Sequence, residues 1–241
     1  MNIEVIPIKT RVVCPPKDEI WDIIDSLKVS DGDIVFITSK IVAIHQGRTK
    51  KTTEIEKRDL IKSEADRMLV HENTDAGFSV HLCLSHNALT LAAGIDESNA
   101  DGYYILWPED IDEFCKEVRN RLIKKFNLKN LGVVVTDSHT MPLRSGVTGF
   151  SIGLAGVEPL RDIRGTKDIF NRTMKITKVN LIDPLAALAV KEMGESAERR
   201  PIVILRGDLN IPFSDTASME GFKIAPEMDF YRPLIETIPK V

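Results

Sequence analysis

The alternation of apolar and polar positions divides the chain into short buried strands and amphipathic helices. Near-continuous apolar runs bounded by polar turns predict strands at residues 3–8, 34–38, 103–107, 133–136 and 202–205, and a hairpin at 78–92. Apolar residues at helical spacing predict helices that begin at an Asp18 cap, at Pro108 and at an Asp183 cap. We therefore expect an α+β protein in which mixed β-sheets carry flanking helices.

Three segments have a weaker pattern. Residues 50–75 are charged and predict a solvent-facing helical segment with a loop, whereas residues 174–181 alternate like a half-exposed strand. Residues 208–241 contain four prolines and predict an irregular C-terminal tail that could fold over a partner subunit. Because the chain has no linker, repeat or low-complexity segment, we expect residues 1–241 to form one unit of two interlocked subdomains, without a boundary that the sequence defines.

The most informative stretch follows the strand at 133–136. This strand runs directly into Asp137, Ser138 and His139, which predicts a loop that presents a carboxylate, a hydroxyl and an imidazole at a strand exit. Strand exits are where α/β proteins collect catalytic groups, so His139 is a candidate catalytic base. Basic residues are candidates to stabilise phosphoryl or carboxylate oxygens, namely Arg144, Arg164 and Arg206.

Other polar turns offer oxygen ligands and amides. Ser39 and Lys40 follow the strand at 34–38, where the hydroxyl and nearby amides could meet phosphate oxygens, or where Lys40 could simply be solvated. Asp96 lies in a Gly94–Asn99 turn that allows either ordinary Asx-turn chemistry or a hard-cation site. Three carboxylates, from Asp96, Asp137 and Glu195, would suit Mg²⁺ or Mn²⁺ holding a nucleoside triphosphate, although spacing alone does not bring them together.

Composition narrows the classes of protein. The 241 residues include 32 basic and 36 acidic side chains without long like-charged runs, which argues against nucleic-acid and membrane surfaces. No apolar run is long enough to span a bilayer and the N-terminus lacks a signal-peptide pattern, so we expect a cytoplasmic protein. The three cysteines, at wide spacing and without CxxC, are interpreted as buried thiols rather than zinc ligands.

Four segments resemble one known family, in the family's order. They are GDIVFITSKIVAIHQGR (32–48), AGIDESN (93–99), VVVTDSHTMPLRSGVTGFSIGLAGVEPLRDIRG (133–165) and MGES with PIVILRG (193–207). Over roughly residues 3–207 the chain resembles the coenzyme F420-0:γ-glutamyl ligase family. The resemblance implies a fold of that type, a homodimer, and a GTP-using amide ligase that depends on Mg²⁺ or Mn²⁺, with K⁺ as a further candidate ion. Such enzymes phosphorylate the carboxylate of a small-molecule acid, and the amine of L-glutamate or a related amino acid then attacks the acyl phosphate.

The resemblance also assigns residues. It implies metal ligands at Asp96, Asp137, Ser138 and Glu195. It implies nucleotide contacts at Ser39, Lys40 and Asn99 and in the early loop of Lys9, Thr10, Arg11 and Val12. Asp137, His139 and Arg144 remain the catalytic candidates, and His139 becomes a specificity candidate, against the alternative of an ordinary loop histidine.

The chain departs from the family pattern at several positions. A lysine expected five residues after Ser39 is Ile44, a Gly-Arg pair is replaced by Thr140-Met141, and an acidic residue after Asp183 is Pro184. The metal set is retained while other positions differ, so our hypothesis is retained metal and nucleotide chemistry with a changed acceptor acid. The alternative is a ligase-like protein that has lost ligation and acts as a nucleotide- or metal-binding sensor or scaffold.

Overall fold

The structure, a computed structural model, describes residues 2–72 and 79–241. Its strands are β1 (Ile3–Ile8), β2 (Asp33–Thr38), β3 (Thr49–Lys51), β4 (Arg67–His71), β5 (Val80–Ser85), β6 (Ala88–Leu91), β7 (Tyr103–Ile105), β8 (Leu131–Thr140), β9 (Val147–Val157), β10 (Leu160–Asp162), β11 (Lys178–Asn180), β12 (Ile202–Gly207) and β13 (Phe213–Ser214). Its α-helices are α1 (Trp21–Ser26), α2 (Ser39–Gln46), α3 (Lys57–Glu64), α4 (Ile111–Phe126), α5 (Asp183–Met193) and α6 (Arg232–Ile235), with short 3₁₀ turns at Ala92–Gly94 and Pro226–Met228.

A six-stranded mixed sheet forms the centre of the protein, in the order β1-β12-β2-β8-β9-β13. Within this sheet β2 and β8 run parallel, and the other neighbouring pairs of strands are antiparallel. Strands β2 and β8 are both covered on their two faces, which explains their near-continuous apolar sequences. Val35 and Val133 pack into the core beneath α1, α2 and α4, whereas Phe36 and Val134 pack into the core beneath α5.

A smaller layer lies beside this sheet. Strands β4, β5 and β6 form an antiparallel three-stranded sheet, and β3 pairs with β7. Leu60 and Ile61 of α3 pack against Cys83 of β5 in a separate hydrophobic cluster. The fold is therefore α+β with mixed sheets and flanking helices, as predicted, and the two-subdomain organisation stays a prediction. None of the helices in the described ranges is long and apolar enough to cross a membrane.

The sheet topology brings distant segments to one edge of the central sheet. Because β2 and β8 are parallel, with Thr38 opposite Thr136, both strands deliver their following residues to the same edge. Strand β12 is antiparallel to β2, so its first residue, Ile202, lies at that edge as well. Ile8, the last residue of β1, pairs with Ile202. Four parts of the chain that are far apart in sequence therefore meet there.

The loop predicted for Asp137, Ser138 and His139 is wrong. Strand β8 continues to Thr140, and these three residues pair with residues 148–150 of β9 across an irregularity between Val135 and Thr136. The partner strand extends the ladder past the end of the apolar run, because hydrogen bonding to β9 requires no apolar side chains. The polar groups are consequently held on a strand rather than on a mobile turn.

Several predicted helix boundaries are also wrong. Helix α1 has only six residues, and the Asp18 carboxylate accepts hydrogen bonds from Arg11 and from the Cys14 N–H instead of capping it. Helix α4 begins at Ile111 rather than at Pro108. Asp183 is the first residue of α5, and its carboxylate accepts from the backbone N–H and hydroxyl of Ser151. At Asp18 and Asp183 a contact with another part of the chain has replaced the predicted capping contact.

The weakly patterned segments differ from expectation as well. Residues 50–75 contain α3 flanked by β3 and β4, and residues 174–181 contain only the short strand β11. The tail packs on its own chain, where Pro239 accepts a hydrogen bond of 2.9 Å from the Met68 N–H. Cys14 is exposed, although Cys83 and Cys115 are buried as predicted. The predicted hairpin is confirmed from Val80 onward, and its start at Phe78 lies outside the described residues.

Candidate functional site

A cavity of about 520 Å³ opens at the edge of the central sheet where the four segments meet. Ten of the predicted site residues line it: Thr10, Arg11, Val12, Ser39, Lys40, Asp96, Asn99, Asp137, Ser138 and Glu195. Lys9, His139 and Arg144 are not among its lining residues. Sequence spacing did not predict that these ten residues lie together. The parallel pairing of β2 with β8, and the turns on either side, bring them to one cavity.

Lys40 lies among the oxygen atoms of the turn at 96–99. Its ammonium is 2.7 Å from Asp96 Oδ2 and donates to the carbonyl and hydroxyl oxygens of Ser98 at 2.6 and 2.8 Å. The Ser98 N–H donates back to Asp96 Oδ1 at 2.7 Å. Lys40 belongs to the first turn of α2, so this ion pair joins the start of that helix to the acidic turn.

Asp137 occupies the inner part of the cavity. The indole N–H of Trp107 donates to its Oδ2, and the Ser138 N–H donates to its Oδ1 at 2.9 Å. The Ser138 hydroxyl lies 3.5 Å from Glu195 Oε2, just beyond the end of α5. Strand β8 and the turn after α5 thus present oxygen atoms to the same space.

The carboxylates of this site carry an excess of negative charge. Burial, with a smaller contribution from Asp96, raises the pKa of Asp137 from 3.8 to about 6. The pKa of Glu195 is also raised, first by burial and then, against the opposing effect of Lys40, by Asp96. Burial disfavours the charged form of Asp96 too, but the hydrogen bond from Lys40 helps to outweigh it and the pKa is lowered. A bound cation would offset the free-energy cost of burying negative charge on Asp137 and Glu195.

The beginning of α2, which also carries Lys40, gives its part of the cavity wall a positive character. Thr38, Ser39, Lys40 and Ile41 line the cavity, and the helix begins with neither a side-chain cap nor an acidic residue in its first turn. The first N–H groups of an α-helix have no partner within the helix, and the helix dipole favours an anion beside them. This end of the cavity can accept the oxygen atoms of a phosphate.

Two of the residues predicted to contact the nucleotide already bond to other groups of the protein. The Arg11 guanidinium is paired with Asp18 at 2.6 Å and with Asp22 at 2.8 Å. The Asn99 side-chain amide donates to the Ser196 carbonyl at 2.9 Å, which ties the acidic turn to the turn after α5. These residues shape the wall of the cavity, and the Arg11 charge is neutralised by its carboxylate partners.

The remaining catalytic candidates lie elsewhere in the chain. His139 packs its ring against Phe150 at 4.5 Å, and burial lowers its pKa. Arg144 is exposed in the turn between β8 and β9. Arg164 pairs with Asp162, and Arg206 pairs with the buried Asp33 at the start of β2, at the opposite end of the strand from Ser39. Within one chain, none of these three arginines lines the cavity.

The structure adds two residues that the sequence did not reveal. Trp107 lines the cavity and contacts Asp137 directly, although its apolar neighbours predicted only a strand. Arg200 also lines the cavity, and its Nε atom is buried without a hydrogen-bond partner among the described residues. The sequence offered one indication of Arg200. It lies two residues before the buried strand β12, whose first residue pairs with β2.

The donor chemistry of the cavity suits a hard divalent cation. The candidate oxygen ligands belong to Asp96, Asp137, Ser138 and Glu195. Across residues 2–72 and 79–241, no three His, Cys, Asp or Glu side chains form a ready-made metal cage. Mg²⁺ takes one or two carboxylates and completes its shell with water and substrate phosphates, so a single ion would use only part of this set. The raised pKa values of Asp137 and Glu195 point to the same missing positive charge.

Comparison with known proteins gives a consistent result. The sequence profile of a family described as F420-0:Gamma-glutamyl ligase matches residues 7–207. The chain is 34% identical over 222 residues to Coenzyme F420:L-glutamate ligase of Methanopyrus kandleri, covering 86% of this chain and 87% of the relative. It is 29% identical over 246 residues to the protein of the same name from Archaeoglobus fulgidus, with 96% and 97% covered. The match includes the strands β2, β8 and β12 and the turns that build the cavity, and the chain belongs to the F420-0:gamma-glutamyl ligase family.

Proposed function

We propose that this protein is a metal-dependent, GTP-using amide ligase that joins a small-molecule acid to L-glutamate or a related amino acid. The observation that carries the proposal is the single cavity in which ten of the residues implied by the family resemblance converge. Membership of a family whose relatives are named Coenzyme F420:L-glutamate ligase supports amide ligation as the reaction class.

The nucleotide phosphates bind at the beginning of α2. Ser39 and the free N–H groups of the first turn meet the phosphate oxygens, and the positive end of the helix supports their charge. Arg200, whose Nε lacks a hydrogen-bond partner among the described residues, provides a second anion contact at the wall of the cavity. Because Arg200 lines the cavity, its guanidinium charge lies close enough to attract a bound phosphate.

Asp96, Asp137, Ser138 and Glu195 hold Mg²⁺ or Mn²⁺ together with the phosphates. The ion would supply charge neutralisation for the phosphoryl group. Asp137 must be ionised to serve as a ligand, and its pKa of about 6 allows this at neutral pH. Lys40 keeps Asp96 ionised through their contact of 2.7 Å. The family resemblance adds K⁺ as a further candidate.

The chemistry is a two-step acyl transfer. An oxygen of the acid's carboxylate forms a bond to the γ-phosphorus of GTP, and the bond from that phosphorus to the bridging oxygen breaks, which gives an acyl phosphate and GDP. The amine of the amino acid, as its free base, then forms a C–N bond to the acyl carbon. The C–O bond to phosphate breaks, phosphate leaves, and the amine loses a proton to solvent.

The acceptor acid is either F420-0 or another acid, and we propose a changed acceptor. The support is the replacement of the family's Gly-Arg pair by Thr140-Met141. Ile44, a buried apolar residue that lines the cavity where the family has a lysine, instead removes one expected phosphate contact of the nucleotide. Thr140 and Met141 lie outside the cavity of a single chain. Mass spectrometry of F420-0 with GTP, Mn²⁺ and glutamate tests this part: ready glutamylation would rule out the changed acceptor while supporting the ligase.

We further propose that the protein is a homodimer. The segment between β10 and β11 carries Ile169, Phe170 and Ile176, whose side chains are 93%, 75% and 77% exposed. Large apolar side chains exposed close together in sequence are typical of a surface that contacts another protein. A second copy of the chain is the partner that the family resemblance suggests.

Metal-dependent release of nucleoside diphosphate tests the proposed function. Candidate acids and amino acids are incubated with GTP and Mn²⁺, and GDP is measured with and without each substrate. We expect GDP release to require both substrates and to be lost in Asp137→Asn and Glu195→Gln. A protein that binds nucleotide and Mn²⁺ but releases no GDP with any combination would instead be the sensor or scaffold described above.

A further inference from the structure

Trp107 occupies a place between two cavities. It lines the cavity that holds Asp137, and it also lines a neighbouring cavity of about 690 Å³ together with His86 and Phe150. Its side chain is only 3% exposed. The indole therefore forms part of the partition behind the proposed metal site, and its one polar atom donates to Asp137 Oδ2.

The indole is held from several directions. Gly94 lies directly against it, so that a Cβ at this position would collide with the indole Cε2 and Nε1 atoms. The rings of His86 and Phe150 approach at centroid distances of 5.7 and 6.1 Å. The Trp107 carbonyl accepts a hydrogen bond of 3.1 Å from Arg48 Nε. Backbone and ring are both fixed, so the direction of the N–H is fixed as well.

A fixed N–H determines the orientation of the carboxylate that accepts from it. An ionised carboxylate has about four acceptor positions, two on each oxygen. On Asp137 the indole N–H takes one position on Oδ2 and the Ser138 N–H, at 2.9 Å, takes one on Oδ1. The Ser39 side chain is a further hydrogen-bond partner of Asp137, and the positions that these three donors do not use are left for a ligand. Partners that hold a metal-binding carboxylate in this way are known to tune metal affinity.

We propose that Trp107 is a positioning residue that aims the Asp137 carboxylate at the divalent cation through its indole N–H. This inference rests on the proposed function, because it requires Asp137 to bind the cation. It goes further by giving a role to a residue that neither the motifs nor the family resemblance marks. An indole that merely filled the space would be replaced by another ring without effect on the carboxylate.

The substitution Trp107→Phe separates these two roles, since it keeps a ring and removes the N–H. The control is Trp21→Phe, the other tryptophan of the chain, which packs against His45 and Arg121 and does not line the cavity. Mn²⁺ affinity is measured by electron paramagnetic resonance, and steady-state rates are measured with varied GTP. We expect Trp107→Phe to weaken Mn²⁺ binding by about 10- to 100-fold and to lower kcat more than it raises KM for GTP. Trp21→Phe should leave both unchanged.

A second measurement leaves Trp107 in place. In the Trp21→Phe protein, Trp107 is the only tryptophan, and paramagnetic Mn²⁺ bound at Asp137 should quench its emission while Mg²⁺ should not. Asp137→Asn in the same background should abolish the quenching. This readout does not depend on activity, and it remains informative if Trp107→Phe fails to fold.

The outcomes separate the inference from the function on which it rests. If Asp137→Asn loses Mn²⁺ binding but Trp107→Phe binds it like Trp21→Phe, the positioning role is overturned and the metal site stands. If bound Mn²⁺ leaves the Trp107 emission unchanged, the inference is likewise overturned. If Asp137→Asn binds Mn²⁺ like the wild-type protein, the proposed metal site itself is wrong, and the positioning role falls with it.

Discussion

Among single residues, Asp137 is the one on which the proposed metal site depends most. The carboxylate accepts hydrogen bonds yet has its pKa raised to about 6, because burial and the neighbouring Asp96 outweigh those donors. The protein therefore retains a carboxylate in a place that disfavours its charge. Such sites cluster where a protein binds cations or performs chemistry, since a ligand can restore the balance.

Burying the ionised Asp137 carboxylate should lower the free energy of unfolding of the metal-free protein. Its folded-state pKa lies above the unfolded value, so its contribution to stability is fully present below about pH 4 and is lost as the pH rises through about 6. We expect Asp137→Asn to raise the free energy of unfolding by up to about 3 kcal/mol near pH 7.5, with little gain near pH 4. Urea unfolding across this range, with the exposed Glu54→Gln as control, measures the effect. An equal change at both pH values would contradict it.

Arg200 gives a separate prediction for nucleotide binding. Its guanidinium lines the cavity, and we expect it to pair with a phosphate oxygen. A hydrogen bond between charged groups contributes about 1.5–3 kcal/mol, so Arg200→Gln should weaken GTP binding by about 10- to 100-fold in calorimetry. Arg164→Gln, which removes an exposed ion pair with Asp162, should bind GTP normally. Identical GTP affinity in the two variants would remove Arg200 from the site.

Some residues of the site were predictable from the local sequence. Asp96, Asp137 and Glu195 follow apolar runs and have polar neighbours, so their local sequence marked them. Trp107 and Arg200 carried no such mark, because their roles depend on which side chain lies opposite them after folding. His139 shows the reverse error: a prominent polar position whose ring packs against Phe150 and does not line the cavity.

At the scale of elements, the packing of α5 against β9 holds the turn that carries Glu195. Gly149 of β9 makes this possible, because a Cβ there would lie 2.5 Å from Val190 Cβ and 2.7 Å from the Ala186 carbonyl oxygen. Both of those residues belong to α5. The helix and strand are therefore in close backbone contact, and a larger residue would force them apart.

Gly149→Ala tests this contact. We expect a loss of about 2–3 kcal/mol in the free energy of unfolding, as for other overpacked interiors, and weaker Mn²⁺ binding because the Glu195 turn is displaced. Gly221→Ala is the matched control, since a Cβ at that glycine would meet no atom within 4 Å. Chemical denaturation of both variants decides the matter. A Gly149→Ala protein as stable as the control would show that the helix and strand do not pack this closely.

The interiors of elements were predictable and their ends were not. Apolar runs correctly located β2 and β12, because burial on both faces leaves a signal in every residue. They also located β1, although its residues are exposed or half-buried. The ends of β8 and α1 depend on distant partners: β9 extends the first, and Arg11 takes the carboxylate expected to cap the second. Such contacts join different elements, so the pattern within one element does not report them.

At the scale of the whole molecule, the site is a product of topology. One parallel pair and two antiparallel pairs bring residues 9–12, 39–40, 137–138 and 195–200 to the same sheet edge. The family resemblance anticipated this gathering, whereas spacing alone could not. The exposed apolar residues between β10 and β11 are the corresponding feature on the outside of the molecule.

Sedimentation velocity tests the proposed dimer. The wild-type protein should sediment as a dimer at micromolar concentration. The double substitution Ile169→Ser with Phe170→Ser should shift it to the monomer by removing two adjacent exposed apolar side chains of the segment. Val241→Ser, at a half-exposed residue of the C-terminus, should leave the dimer intact. A wild-type protein that sediments as a monomer would contradict the proposal.

The central claim is that this cavity performs nucleotide-driven amide ligation. The most direct measurement is mass spectrometry of the products formed from GTP, Mn²⁺, L-glutamate and a panel of acids that includes F420-0, with the wild-type protein and with Asp137→Asn. We predict one acid that becomes heavier by a glutamyl residue, only with metal and nucleotide present, and no product from Asp137→Asn. Equal product from wild type and Asp137→Asn, or no product from any acid although GTP and Mn²⁺ bind, would contradict the account.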